Sequence, residues 1–377
     1  MHGRLLYAAS DQAADMFYAT GVWTPDPFLF VQEPSGRRHV VISALEIDRV
    51  RRTARAIDAI HDWEPLRQRH LRENPEQTPE TPELICRFLR EINLNHVIVP
   101  RDFPLAVADT LRQDGVVVAT ATGSFWPERE HKRPDEVRAI QEALGITGRA
   151  MQAGIGLIIA SSIGEDGLLH LDGVPLTSER VRARIHGALA EEGAVGRHTI
   201  VAGGAQGADP HEPGSGPLPA HWPIILDIFP RVERSGYWGD MTRTVCRGQP
   251  TERLQQAWEA VRQAQELACS MIRPGVMSSE VHAAVSRLLT ERGFPTGPTT
   301  DGRQGGFFHG TGHGLGLEIH EAPRIGVKGQ TLEAGQVVTV EPGLYYPEMG
   351  GVRLEDVVVV EAGGCRNLTE FPKYLVV

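Results

Sequence analysis

Apolar positions in the first part of the chain alternate between two periods. Arg38 to Ser43 carries the run Val40-Val41-Ile42 and predicts a strand. Leu45, Ile47, Val50, Ala54, Ile57 and Ile60 then follow at mixed three- and four-residue spacing, which predicts a helix from Ala44 to Ile60. Cys86 to Ile92 reads as helical, Asn95 to Pro100 as a short strand closed by proline, and Gly115 to Ala119 as a further strand. Pro75, Pro79 and Pro82 mark a loop between them. Strands alternating with helices predict a small α/β domain over residues 1–125.

Polar residues and Pro127 then break the pattern between Gly123 and Arg133, so the second domain is placed at 126–377. Pro134 suits the first turn of a helix, and Asp135 and Glu136 favour its positive end; this helix is expected to run to about Met151. Further helices are expected from Thr177 or Ser178, from Thr251, and from Ser278 or Ser279, each opening on a capping hydroxyl with an early glutamate. The segments Ser178 to Gly193 and Ser279 to Gly293 resemble each other and hint at a duplicated half-domain. Beyond them Val337 to Val340 and Val357 to Val360 are β-branched runs separated by glycine turns. The second domain therefore reads as α+β, with long helices on a curved antiparallel sheet.

Composition narrows the classes. A length of 377 residues suits two domains of roughly 150 residues each. With 41% hydrophobic and 23% charged residues, a disordered chain, a collagen and a coiled-coil rod are excluded. The formal charge of −10 and pI near 5.9 argue against nucleic acid as a partner. No uninterrupted apolar stretch has membrane-spanning length, so no membrane association is expected. Met1-His2-Gly3-Arg4 lacks a secretory pattern, and Cys86, Cys246, Cys269 and Cys365 lie far apart without CxxC; a reducing cytoplasm is the expected compartment.

The chemistry gathers in the second domain. Asp227 ends the apolar run Pro223-Ile-Ile-Leu, and Asp240 follows in Gly236-Tyr-Trp-Gly-Asp-Met-Thr-Arg-Thr, so a hairpin would bring the two carboxylates together. Asp209 and Asp301 sit in glycine-rich segments and read as loop residues. His309, His313 and His320 follow among Gly310, Gly312, Gly314 and Gly316. One histidine is more often a hydrogen-bonded core or surface group, but three among glycines that admit close backbone approach point to a site. No Lys-Ser/Thr follows the glycines, so this is not a phosphate loop. Glu341 and Glu355 lie in apolar strands, and strand alternation puts Arg353 on the face of Glu355, with Asp356 opposite. Arg353 can neutralise one buried acid, not four. Asp227, Asp240, Glu341 and Glu355 with the His313 imidazole match two divalent cations; such an oxygen-rich set suits Mn²⁺, Fe²⁺ or Co²⁺ better than a structural zinc site. A cation pair holding a bridging hydroxide is equipped for hydrolysis, with the other histidines free to bind a carbonyl or oxyanion.

These residues carry a resemblance. Their order, with Gly239-Asp-Met-Thr-Arg-Thr, His309-Gly-Thr-Gly-His-Gly, Val340-Glu-Pro-Gly and Val352-Arg-Leu-Glu-Asp, is similar to the M24 metallopeptidase family of methionine aminopeptidase, aminopeptidase P, prolidase and creatinase. Phe17-Tyr-Ala-Thr-Gly-Val resembles the start of the creatinase-type N-terminal domain, which points to the aminopeptidase P and prolidase branch. The resemblance implies a pita-bread catalytic domain, a curved antiparallel sheet with helices about a pseudo-twofold. It further implies that Asp227 chelates one metal, that Asp240 and Glu355 bridge both, and that His313 and Glu341 hold the second. Glu341 would also accept a proton from the nucleophilic water. His320 would contact substrate, His309 would match the histidine preceding the metal histidine, and His211 would match an upstream catalytic histidine. Arg353 would orient a carboxylate or a ligand. His198 and His221 match no motif position and are read as structural.

The expected reaction is hydrolysis of an Xaa-Pro bond, in a dipeptide or at the N-terminus of a longer peptide with proline second. Mn²⁺ or Co²⁺ is expected first, with Zn²⁺ and Fe²⁺ compatible, and family practice implies a homodimer. The family spaces its two aspartates more closely and writes Asp-Xaa-Gly at the first. Here Asp227-Ile-Phe-Pro-Arg makes the hairpin around Arg231 to Gly236 longer, and it is expected close to the pocket. That departure keeps alive another hydrolase or a lyase on the same scaffold, acting on a small non-peptide substrate. A metal-free creatinase-like enzyme or a non-catalytic binder is disfavoured by the complete ligand set.

Overall fold

The computed structural model describes residues 2–299 and 302–377; Asp301 lies outside them. The chain divides into two units, one ending at Pro127 and the other beginning at Glu128.

The first unit is built on strands β1 (Gly3–Ala8), β2 (Phe28–Gln32), β3 (Arg38–Ile42), β4 (Ala59–Asp62), β5 (His96–Val99) and β6 (Val117–Thr120), with helices α1 (Ala14–Thr20), α2 (Ala44–Thr53), α3 (Trp63–Glu73), α4 (Thr81–Glu91) and α5 (Leu105–Gln113). The sheet order is β4-β3-β2-β1-β5-β6. The pairs β1–β2 and β2–β3 are antiparallel; the outer pairs β3–β4, β1–β5 and β5–β6 are parallel. Period-two alternation feeds two cores: Leu5, Leu29, Val31 and Val41 enter one, Leu6, Phe28, Phe30, Val40 and Ile42 the other. One expectation is corrected here. The helix from Ala44 stops at Thr53, because Ala54 is extended and Ala56 has a left-handed φ of 51°. Ile60 belongs instead to β4, paired with Val40.

The second unit opens with α6 (Pro134–Ala160). Pro134 stands in its first turn, and the Glu136 carboxylate accepts the Arg133 N–H at 2.8 Å. The helix runs past Met151 because the buried stripe continues through Gly154, Ile155 and Ile158. At Gly154 a Cβ would meet the Ile185 side chain at 2.8 Å, so the glycine lets α6 and its neighbour pack this closely without Ile185 shifting. By length and composition α6 could span a membrane, yet half of that window is buried inside the protein. Three short strands follow, β7 (Ser162–Ile163), β8 (Leu169–Leu171) and β9 (Val174–Pro175), then α7 (Ser178–Glu191), whose N-cap Thr177 side chain accepts from Arg180 N–H. Next come β10 (Ala194–Gly196), β11 (Ile200–Gly203), β12 (Pro223–Ile228), β13 (Pro230–Val232) and β14 (Met241–Cys246), in which β11-β12-β14 form an antiparallel sheet.

The pattern then recurs. Helices α8 (Glu252–Met271) and α9 (Ser278–Glu291) precede β15 (Gly297–Pro298), β16 (Gln304–Gly305), β17 (Gly312–Gly314), β18 (Glu321–Ile325), β19 (Val337–Val340), β20 (Gly343–Tyr346), β21 (Gly350–Arg353), β22 (Asp356–Glu361) and β23 (Gly364–Asn367). The main sheet here is β18-β17-β19-β22-β23, antiparallel throughout. Each half thus packs a long and a fourteen-residue helix on an antiparallel sheet, with its own core. The halves join where Glu355 N–H donates to Thr242 O at 3.0 Å and Arg353 N–H to the Thr244 hydroxyl at 2.9 Å.

Candidate active site

Asp227 lies one residue from the end of β12, opposite Thr242 in β14, so Asp240, just before β14, comes round to the same end of the hairpin. β17 delivers His313, and Gly312 lets it approach β19: a Cβ there would sit 1.9 Å from Thr339 O. Glu341 follows β19, and Glu355 bridges β21 and β22. All nine residues singled out from the sequence line one cavity of about 880 Å³: His211, Asp227, Asp240, His309, His313, His320, Glu341, Arg353 and Glu355.

Ligand atoms of Asp240, His313 and Glu355 lie within 4.8 Å of one another. His313 Nε2 is 3.7 Å from Asp240 Oδ2 and 3.4 Å from Glu341 Oε1. Its Nδ1 faces Gly314 O at 3.1 Å and, as the protonated nitrogen, leaves the Nε2 lone pair aimed at the acids. Thr242 donates its hydroxyl to Glu355 Oε2 at 2.8 Å. Arg353 Nη2 donates to Asp227 Oδ2 at 2.7 Å, Nη1 to the Tyr345 hydroxyl at 2.8 Å, and Nε to Thr242 Oγ1 at 3.2 Å. His309 Nε2 meets the same Tyr345 hydroxyl at 2.9 Å. Arg353 therefore aligns one carboxylate and, through Tyr345, one histidine.

The electrostatics follow from burial. Asp240, His313 and Glu355 are at most 5% exposed, and an ion there loses several kcal/mol of hydration. Burial, then the neighbouring acids, hold Asp240 and Glu355 well above the ordinary carboxylate range. Burial pushes Glu341 up to about 7, partly offset by Arg353. Burial, then His320, pulls His313 down to about 3, and burial, then Arg353, pulls His309 down to about 3. His320 is lowered by burial and by Arg324 and stacks edge-on to His313 at 4.4 Å. Asp227 Oδ1 is buried with no hydrogen-bond partner among the described residues. Crowded acids, an orphaned carboxylate oxygen and a neutral imidazole lone pair form a donor set that fits divalent cations.

Other placements were not legible in the sequence. His198, read as structural, lines the cavity and has a left-handed φ of 58°. Phe229, Phe308 and Arg324 line it as well, and so does Asp209, whose Oδ1 accepts the His211 N–H at 2.9 Å. For Tyr345 the available signal was its place in β20, two residues after Glu341-Pro-Gly. His221 stays outside, with its ring Nδ1 accepting Gln249 N–H. Within the longer hairpin, residues 230–232 form β13, paired with β10, and residues 231–236 are not among the cavity lining. Phe229, at the start of the same hairpin, does line it.

Residues 138–362 match the model of metallopeptidase family M24. The chain is similar to the Xaa-Pro dipeptidase of Pyrococcus furiosus, 35% identical over 185 residues. That match spans 47% of this chain and about half (48%) of the relative's own length, so it leaves the rest of both chains uncompared. A putative dipeptidase of Bacillus subtilis, YkvY, is 30% identical over 78% of this chain and 77% of its own, which extends the likeness beyond the second unit's length. Among solved structures, the X-Pro aminopeptidase of Thermotoga maritima superposes with a TM-score of 0.81, covering 100% of this chain and 98% of that one at 21% identity. The Pyrococcus horikoshii prolidase superposes at 0.79, covering 100% of this chain and 95% of that one at 21% identity. At that identity the likeness establishes the fold: the pita-bread architecture with the α/β unit before it.

Proposed function

The chain belongs to metallopeptidase family M24, and we propose that it is a dinuclear-metal exopeptidase that hydrolyses Xaa-Pro bonds. The observation that carries this reading is the convergence of four acids and one neutral imidazole on one cavity, with Arg353 paired to a single member of the set. Asp227, Asp240, His313, Glu341 and Glu355 would hold the ions, with Asp240 and Glu355 as the carboxylates that would be shared. Bound there, a divalent pair supplies polarisation of the scissile carbonyl and a lowered pKa for water. Glu341, whose carboxyl burial already pushes up to about 7, is suited to take the water's proton. His320, neutral near pH 7, faces the cavity as a hydrogen-bond donor for the substrate carbonyl or the oxyanion, while neutral His309, whose ring nitrogens meet Gly310 O and the Tyr345 hydroxyl, lines the cavity as a substrate contact. His211 lines the cavity on a loop where Asp209 accepts its backbone N–H, which supports a role at the substrate amide.

Proline as the second residue, Mn²⁺ or Co²⁺ as the ions, a homodimer and a cytoplasmic setting complete the proposal, with residues 1–125 as a creatinase-like domain. The names of the relatives support the substrate class. The rival small-molecule hydrolase or lyase has less support, because none of residues 231–236 lines the cavity. The test is an Xaa-Pro panel, dipeptides and longer peptides, assayed with Mn²⁺ and Co²⁺ alongside metal analysis. Turnover with about two ions per chain is expected. Full metal loading without turnover of any member would overturn the peptidase reading.

A further inference from the structure

A second cavity, about 370 Å³, shares no lining residue with the first. Its lining includes Gln265, Cys269, Asp356, Cys365 and Lys373. Helix α8 carries Gln265 and Cys269 one turn apart, hence on one face. β23 carries Cys365, paired with Val360 of β22. The fold thus brings the Cys365 thiol to another cysteine 96 positions away: Cys365 Sγ lies 3.2 Å from the Cys269 carbonyl oxygen, and both side chains line the cavity. Both are free and only partly buried, so each is open to reagents in the cavity, whereas Cys86 and Cys246 are buried.

We propose that Cys269 and Cys365 are a dithiol site that a peroxide oxidises to an intramolecular disulfide joining α8 to β23. The Cys365 sulfur attacks one peroxide oxygen, the O–O bond breaks, and water leaves behind a sulfenic acid. The Cys269 sulfur then attacks the Cys365 sulfur, forming the S–S bond and releasing a second water. Two thiols and one hydrogen peroxide become one disulfide and two waters. The order follows the local chemistry. Contact with Cys269 holds the Cys365 thiol below its ordinary value, while Cys269 is pushed up by the same contact and by burial.

The site also reaches the acids of the first cavity through one helix. The Gln265 amide donates to Val340 O at 2.9 Å and to Leu354 O at 3.1 Å, the residues just before Glu341 and Glu355. A bond that fixes α8 against β23 therefore acts on the backbone carrying two of the proposed ligands. This coupling rests on the metallopeptidase reading; the disulfide does not.

The test is mild hydrogen peroxide treatment of the native full-length protein, then thiol titration and peptide mapping. Loss of two of the four thiols and a linked Cys269–Cys365 peptide are expected. Cys365→Ser and Cys269→Ser should each give no linked peptide, while the untreated variants keep the fold by circular dichroism. Four surviving thiols, or a link that forms only in denaturant or between chains, would overturn the site. Oxidised wild type should also differ severalfold in apparent Mn²⁺ affinity from reduced protein, a difference absent in Cys365→Ser. A linked protein with unaltered affinity overturns the coupling alone.

Discussion

Replacing Lys132 by methionine removes one of the two cations that hold Glu321. Lys132 Nζ lies 2.9 Å from Glu321 Oε2, with the side chains 2% and 7% exposed. Arg129 pairs with the other carboxylate oxygen, which also accepts the Glu318 N–H at 2.9 Å. At an effective dielectric of about 20, two charges at 2.9 Å attract by about 6 kcal/mol gross. Breaking a buried pair typically costs about 3–5 kcal/mol, and since Arg129 and the amide remain, we expect about 3 kcal/mol. The assay is urea unfolding of the full-length protein, read as a lower midpoint at unchanged slope. Acid dependence gives an independent readout. Burial, the largest influence on the Glu321 carboxyl, pushes it up, but Lys132 and then Arg129 outweigh it and hold it below its ordinary value. A folded pKa below the unfolded one gives stability that is complete above the ordinary carboxylate range and lost as pH falls through the folded pKa. Lys132→Met should flatten that acid limb. Pairing it with Glu321→Leu should recover most of the loss, because no stranded charge remains. A single-mutant loss under about 1 kcal/mol, or a double mutant as unstable as the single, would refute the argument.

Further outcomes follow from the same structure. Asp240→Asn should drop metal content well below two per chain and abolish turnover, checked by elemental analysis. Arg353→Met should weaken metal affinity by about 10–100-fold without unfolding the protein, since Asp227 and Tyr345 lose their alignment. Metal affinity should rise with pH through about 7 and fall below it, because raised Asp240, Glu341 and Glu355 carboxyls must release protons to bind a cation; calorimetry in buffers of different ionisation enthalpy would count them. Gly312→Ala should cost at least about 2 kcal/mol in thermal unfolding, as its Cβ would overlap the Thr339 carbonyl.

Much of this protein is legible in its residues. Asp227, Asp240, His313, Glu341 and Glu355 stand out because acids in apolar runs and histidines among glycines are costly unless something compensates them, and that cost is local. Capping hydroxyls and Pro134 likewise announce helix starts. Helix ends were harder to read. The end of α2 depends on the turn at Ala56, and the length of α6 on a glycine contact with α7. Those depend on neighbours distant in the chain.

What the sequence by itself determined is the kind of chemistry, since the charge and ligand character of a side chain belong to the residue. Only the tertiary structure decided the company each group keeps. It set Arg353 between Asp227 and Tyr345, joined Lys132 to Glu321 across 189 positions, and brought Cys365 to Cys269. Distance and burial arise from the packing of elements far apart in the chain, and they fix which charges are paired and which remain for a cation.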